Sequence, residues 1–308
     1  DPDYGELRAV LGQMHNLPPE WILPGNGSAE LLTWASWDLA KLAVTYLVTP
    51  AFGDYWRALR TFGAKVQPYP LCPEAESRES GAKGVRFTPL PHLSSSLPEC
   101  GLLLNNPHNP TGCLFSRANI LPYLEQFALV VVDEAFMDFL PPNQEQSLSS
   151  VVQKYPNLVI LRSLTKFYSL PGLRLGYAIA HPDRLQRWQQ WRDPWPVNTL
   201  AAAVAIAVVQ DTEFQQLTWT WLPIARTALF QGLAQVPDLQ PYSGAANFLM
   251  VQSQQPSSLV QQRLLERSQI LIRDCLSFPE LGDRYFRVAV RSSEENERLV
   301  RAIRENGC

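Results

Sequence analysis

The sequence lacks the features that would place it in several large protein classes. Its longest apolar stretch, Leu200 to Val209, is ten residues long and stops at Gln210 and Asp211. That is too short to cross a hydrocarbon layer, so no membrane span is expected. Cysteine is scarce, and Cys72, Cys100, Cys113, Cys275 and Cys308 stand far apart with no CxxC pair. With no signal-peptide pattern ahead of them, these residues point to a reduced, cytoplasmic protein. The four histidines, His15, His92, His108 and His181, show neither HxxxH nor CxH spacing, which gives a metal site little support. No charge of one sign dominates either. With 26 Lys plus Arg against 29 Asp plus Glu, the formal charge is -3, leaving no basic field for nucleic acid, and any bound phosphate must be met locally.

What the chain does have is apolar material: 46% of its 308 residues are hydrophobic and 18% charged, enough for one large core or two smaller ones. It starts at Asp1 rather than Met, so further residues are expected upstream. A first helix is read over the acidic entry segment, with Leu7, Val10 and Leu11 on one face. Short aliphatic runs then alternate with helix-like segments: AVTYLV (43–48), AKVQPY (64–69), GLLLN (101–105), LVVVDEA (129–135), NLVILR (157–162) and LGYAIA (175–180). Such continuous runs suit strands buried on both faces, as in a largely parallel sheet between helix layers. The polar EAESRESGAKG stretch (74–84) reads as a mobile surface loop. Beyond an apolar helix around Ala201 to Val209 the pattern changes to a long helix over Glu213 to Leu233, NFLMVQ, a helix near Ser257 to Arg267, ILIRD, YFRVAV and a charged final helix. The order predicts an α/β domain over 1–210 and a smaller α+β domain over 211–308.

Five features fall at predicted strand ends of the first domain, the edge of an open α/β sheet where ligands bind. Asp133 closes LVVVD and is either a cap for the next segment or a functional anion. Lys166 follows NLVILR; a lone lysine there is normally solvated, but Ser163, Thr165 and Arg174 lie close in sequence, and Pro171-Gly172 supplies a turn. A serine, an arginine and a nearby lysine can hold a phosphate and leave one amine free as a nucleophile. GNGSAE (25–30) opens an apolar helix. Ser28 and Ala29 there are candidates for an anion cup, against the plainer reading of an ordinary capped helix. Phe52 in PAFGDYW either packs in the core or stacks on a planar ring. Asn109 in NNPHNPTG precedes a proline whose peptide bond can be cis, or sits in a plain loop. Together the five describe a site for pyridoxal phosphate, which needs a lysine, a carboxylate for its ring nitrogen, an aromatic face and a phosphate cup.

Through NPTG, DEA, SLTK and GLRLGY in this order, the sequence resembles the fold-type-I pyridoxal-phosphate enzymes of the aspartate aminotransferase superfamily. The resemblance implies a three-layer α/β large domain with a mainly parallel sheet, and a homodimer whose sites draw on both subunits. It makes Lys166 the lysine that carries the cofactor, Asp133 the partner of its ring nitrogen, Asn109 a donor to its phenolic oxygen and Phe52 the stacking ring. Ser28, Ala29, Ser163 and Arg174 match the phosphate cup. In the smaller domain the arginine matching Arg287 binds a substrate carboxylate, and Arg273 is expected to meet a carboxylate or phosphate.

Within the superfamily, DEAFMDF, RSLTKFYSLPGLRLGY, DPWPVNTLAA and ILIRDCLSFPELGDRYFRVAVRSSEENERL look more like threonine-phosphate decarboxylases of cobalamin biosynthesis than histidinol-phosphate aminotransferases. That likeness implies decarboxylation of L-threonine O-3-phosphate to (R)-1-aminopropan-2-ol O-phosphate, with transamination of histidinol phosphate as the alternative. Phe136 stands where the aminotransferases typically carry a tyrosine, and Arg291 adds a charge suited to a compact phosphate. Two positions depart from the pattern: the relatives carry an N-terminal arm with a tyrosine ahead of the segment matching Asp1 to Tyr4, and His108 replaces a commoner asparagine.

Overall fold

The computed structural model describes residues 1–71, 73–75, 85–87 and 97–307. The loop expected over 74–84 lies almost wholly outside the described residues, as do Cys72, His92 and Cys308. The helices are α1 (Gly5–His15), α2 (Gly27–Ala40), α3 (Gly53–Thr61), α4 (Arg117–Gln126), α5 (Leu164–Phe167), α6 (Pro182–Trp191), α7 (Thr199–Val209), α8 (Thr212–Ala234), α9 (Ser257–Ser268) and α10 (Ser293–Glu305). The strands are β1 (Ile22–Asn26), β2 (Val44–Thr49), β3 (Val66–Pro70), β4 (Pro73–Ala75), β5 (Val85–Phe87), β6 (Leu97–Asn105), β7 (Phe127–Asp133), β8 (Leu158–Ser163), β9 (Leu175–Ala180), β10 (Leu239–Pro241), β11 (Phe248–Ser253), β12 (Arg273–Asp274) and β13 (Tyr285–Ala289).

Seven strands form one sheet in the order β1-β9-β8-β7-β6-β2-β3. Only β9 is reversed, antiparallel to both β8 and β1, while the other six run the same way. Alternation along the central strands explains the two cores. Leu102, Val130, Val132, Leu158 and Ile160 face one side, and Leu103, Leu129, Val131, Val159 and Leu161 face the other. The second side is covered by α2, α3 and α6 through Leu31, Leu39, Tyr55, Leu59, Leu185 and Trp188. Each fully buried Val or Leu in these layers contributes roughly 1.5–3 kcal/mol relative to exposure. The result is a three-layer α/β sandwich, as the resemblance implies.

A second sheet, β10-β11-β13-β12, is wholly antiparallel. Asp211, near the change of pattern in the sequence, caps α8 by accepting from the Phe214 N–H at 2.9 Å. The apolar cluster on the first face of the large sheet runs on without a break through Leu222 and Leu229 of α8 into Leu249, Val251, Phe286 and Val288 of the small sheet. The two sheets therefore share a core, and the ends of β6, β7 and β8 open toward β13 where that core stops. Among the described residues no helix is long and apolar enough to cross a membrane.

β1 was not among the expected strands. Pro24 and Gly25 interrupt its pattern, and both are tolerated because the strand lies at the sheet edge and pairs only with β9.

Candidate active site

The carboxyl ends of β1, β2, β6, β7 and β8 surround a cavity of about 220 Å³ lined by Ser28, Ala29, Phe52, Asn109, Asp133, Ser163, Lys166, Arg174 and Arg287, with Tyr55, Asn105, Thr165 and Phe136 among the remaining wall residues. Arg273 and Arg291 lie outside it. They line an adjoining cavity of about 520 Å³, to which Phe136, Lys166 and Arg287 are common.

One end of the smaller cavity is built to receive an anion. The first turn of α2 follows β1 directly, so free backbone N–H groups and the positive end of the helix dipole lie at Ser28 and Ala29. Gly27 has a φ of +72°, and a Cβ there would fall 2.5 Å from Arg174 Nη2; the guanidinium thus lies against the backbone of the turn. Arg174 itself holds a left-handed φ of 55° after the Pro171–Leu173 turn, a conformation that costs a non-glycine residue energy and marks a constrained position. Ser163 ends β8, and its hydroxyl is 2.7 Å from that of Thr165.

The other end holds an acid and an amine. Asp133 terminates β7 with both carboxylate oxygens engaged: Oδ1 accepts from the Ala135 N–H at 2.9 Å and Oδ2 from the Tyr55 hydroxyl at 2.7 Å. The side chain therefore caps the next turn and faces the cavity at once. Burial pushes its carboxyl upward, opposed by the Tyr55 and Ala135 donors and by the Lys166 charge. Lys166, in the single turn of α5 that follows β8, has its ammonium pushed down by burial, with Arg174 and Arg287 acting in the same direction and Asp133 against it. An amine so placed loses its proton more readily than a solvated lysine. Phe52 is 42% exposed and meets Tyr55 edge to face, with ring centroids 5.7 Å apart; its free face is available for stacking.

Arg287 joins the two sheets. From β13 its Nη1 donates to Asn109 Oδ1 at 2.5 Å, while its guanidinium lies 4.5 Å over the Phe248 ring. The Asn109–Pro110 bond is cis. Arg273 is directly opposite Arg287 in the β12–β13 pairing, exposed, and donates to Ser277 Oγ at 3.1 Å. Arg291 is exposed and paired with Glu295 Oε1 at 2.8 Å.

Several wall residues escaped the sequence reading. Tyr55 had a signal, three residues after Phe52 on the same helix entry, but a tyrosine in an amphipathic turn looks like core. Arg162, Glu134 and Asp138 form a buried cluster beneath the site: Arg162 donates to Glu134 Oε2 and Asp138 Oδ1, each at 2.9 Å. The alternation of β8 sends Ser163 to the cavity and Arg162 to the opposite side, so the DEAFMD segment supplies one acid to the site and two to its foundation. Arg298 and Asn247 also line the larger cavity.

This donor set fits pyridoxal phosphate: a helix N-terminus with hydroxyls and a guanidinium for the phosphate, a carboxylate for the ring nitrogen, an amide for the phenolic oxygen, an aromatic face and a lysine. A family model described as aminotransferase class I and II matches residues 2–303. A threonine-phosphate decarboxylase of Salmonella typhimurium is 38% identical, the match covering 99% of this chain and 82% of the relative. A histidinol-phosphate aminotransferase of Symbiobacterium thermophilum is 34% identical over 97% of this chain and 79% of the relative. The crystal structure of an L-threonine-O-3-phosphate decarboxylase from Porphyromonas gingivalis superposes with a TM-score of 0.84 at 22% identity, covering 99% of this chain and 89% of that one. The chain belongs to the class I and II aminotransferase family, and its cofactor is pyridoxal 5'-phosphate.

Proposed function

We propose that the protein decarboxylates L-threonine O-3-phosphate to (R)-1-aminopropan-2-ol O-phosphate, a step in cobalamin biosynthesis, and that it works as a cytoplasmic homodimer. One observation carries the reading: Arg273, Arg287 and Arg291 line a cavity that opens onto Lys166, so cations for two anionic groups surround one amine. The 38% identity to a threonine-phosphate decarboxylase supports it.

In this reading Ser28, Ala29, Ser163 and Arg174 hold the cofactor phosphate, Asp133 faces the ring nitrogen, Asn109 faces the phenolic oxygen and Phe52 covers the ring. The bound cofactor supplies an electron sink for bonds breaking at the substrate Cα. Arg287 presents a two-pronged donor to the substrate carboxylate, and Arg273 with Arg291 takes its phosphate. Holding both anionic ends would fix the rotation about the substrate's Cα–N bond, so that these arginines decide which bond at Cα is set to break. Lys166 Nζ, with its ammonium pushed down by burial, then delivers a proton to Cα where carbon dioxide has left. Phe136, which lines both cavities, brings no hydroxyl to the neighbourhood of the phenolic oxygen.

The test is product identification with threonine phosphate and histidinol phosphate side by side. Carbon dioxide and aminopropanol phosphate from the first, with no 2-oxoglutarate consumed, are the expected result. Glutamate formed from histidinol phosphate and 2-oxoglutarate would replace this function with the aminotransferase reading, which the 34% identity to such an enzyme favours.

A further inference from the structure

Removal from water disfavours the charge of Asp133, yet a carboxylate that faces a ring nitrogen must stay ionised to keep that nitrogen protonated. The described residues supply three stabilising groups: the Ala135 N–H, the Tyr55 hydroxyl and the Lys166 ammonium. The last would no longer be a free ammonium with the cofactor bound. The Ala135 N–H belongs to a local turn and would be present beside any aspartate at this position. Tyr55 is different, because it comes from α3, 78 residues away in sequence. It is 3% exposed and is fixed by packing among the apolar residues on the α2–α3 side of the sheet. Burial and the neighbouring Asp133 charge hold its phenol well above the usual range, so it remains a hydrogen-bond donor throughout the working pH range.

We infer that Tyr55 is a positioning residue for the cofactor's ring nitrogen: its hydroxyl, 2.7 Å from Asp133 Oδ2, holds that carboxylate ionised and in a single orientation. The inference rests on the assignment of Asp133 to the ring nitrogen made under the proposed function, and not on which substrate is used. Without the hydroxyl, Asp133 retains a shared proton more tightly and the ring nitrogen carries less positive charge. Two consequences follow. Cofactor affinity falls, by about tenfold for a hydrogen bond to a charged acceptor. The pH at which the bound cofactor's visible absorption changes moves upward, because a less positive ring withdraws less charge from the nitrogen that Lys166 contributes.

The experiment is a double-mutant cycle of Tyr55→Phe and Asp133→Asn, read by cofactor dissociation constant and by the spectral pH titration of the loaded protein. Tyr55→Phe alone is expected to weaken binding about tenfold and raise the midpoint, with the thermal melting of the cofactor-free protein retained. On the Asp133→Asn background it should change neither, since the two residues act as one unit. A purely packing role for Tyr55 would give the same loss on both backgrounds, and that result overturns the inference. Wild-type affinity and midpoint in Tyr55→Phe, beside a defective Asp133→Asn, also overturn it while leaving Asp133 in place. Wild-type behaviour of Asp133→Asn removes the assignment beneath it. Should Tyr55→Phe fail to fold, Tyr55→Gln, which keeps a donor, must bind the cofactor more tightly than Tyr55→Leu; equal affinities count against the inference.

Discussion

At the scale of single residues, the site depends on how burial treats each titratable group. His108 is the clearest case. It is fully buried, its Nδ1 lies 2.9 Å from Thr111 Oγ1, and its Nε2 has no hydrogen-bond partner among the described residues. Burial brings its pKa down to about 3, so the folded protein keeps it neutral while the unfolded chain takes a proton near pH 6.5. Stability attributable to this group is intact above pH 6.5 and is lost as pH falls toward 3, amounting to about 2 kcal/mol by pH 5. His108→Asn is expected to remove that part of the slope. Urea unfolding at pH 7 and pH 5 measures it, and equal losses in variant and parent would refute the assignment. An asparagine at this position would carry no such penalty, so the histidine has a physical cost.

Most of the site's side chains were legible in the sequence because the family motifs sit at strand ends, where a short polar residue following a buried run has few other uses. Asp133, Lys166 and Asn109 belong to this group. Tyr55 and Arg162 were not legible, for opposite reasons. A tyrosine on an amphipathic turn has the same pattern whether it packs or donates. An arginine inside LVILRS looks like a strand terminus, and only its place opposite Tyr177 in β9 and its ion pairs show that it turns inward to Glu134 and Asp138.

At the scale of elements, the phosphate end is made by the close approach of β9 to the start of α2. A Cβ at Gly176 would collide with the Ser28 backbone nitrogen and lie 2.7 Å from the Arg162 carbonyl oxygen; backbone on both sides cannot move aside as a side-chain tip would. Gly176→Ala is therefore expected to cost about 3 kcal/mol of stability, at the upper end for overpacking, and to weaken cofactor binding by displacing the α2 turn. Chemical denaturation and a cofactor titration give the two numbers. A variant as stable as the parent would show that the contact yields. The GLRLGY segment carried this signal as a motif, but its strand direction was not readable: the aliphatic run LGYAIA is the same whether the strand is parallel or reversed, and only the pairing with β8 and β1 settles it.

At the scale of the whole molecule, four arginines, Arg273, Arg287, Arg291 and Arg298, line the larger cavity although the chain is weakly acidic overall. Recognition of an anionic substrate is thus a local field rather than a global one. Its range shrinks from about 10 Å at 0.1 M salt to about 3 Å at 1 M. With threonine phosphate, the substrate proposed above, KM is expected to rise several-fold over that interval with kcat nearly constant, as steady-state kinetics in sodium chloride would show. A loss confined to kcat would mean that the arginines act after binding.

The bond from Arg287 to Asn109 ties a residue of the four-stranded sheet to one beside the seven-stranded sheet, in the wall of the smaller cavity. A carboxylate that grips the free edge of that guanidinium is attached to both halves of the protein through a single side chain. Under the proposed decarboxylation the small molecule would act as a strut: its arrival would brace the seam between the halves, and loss of that same carboxylate would release the brace and the product together.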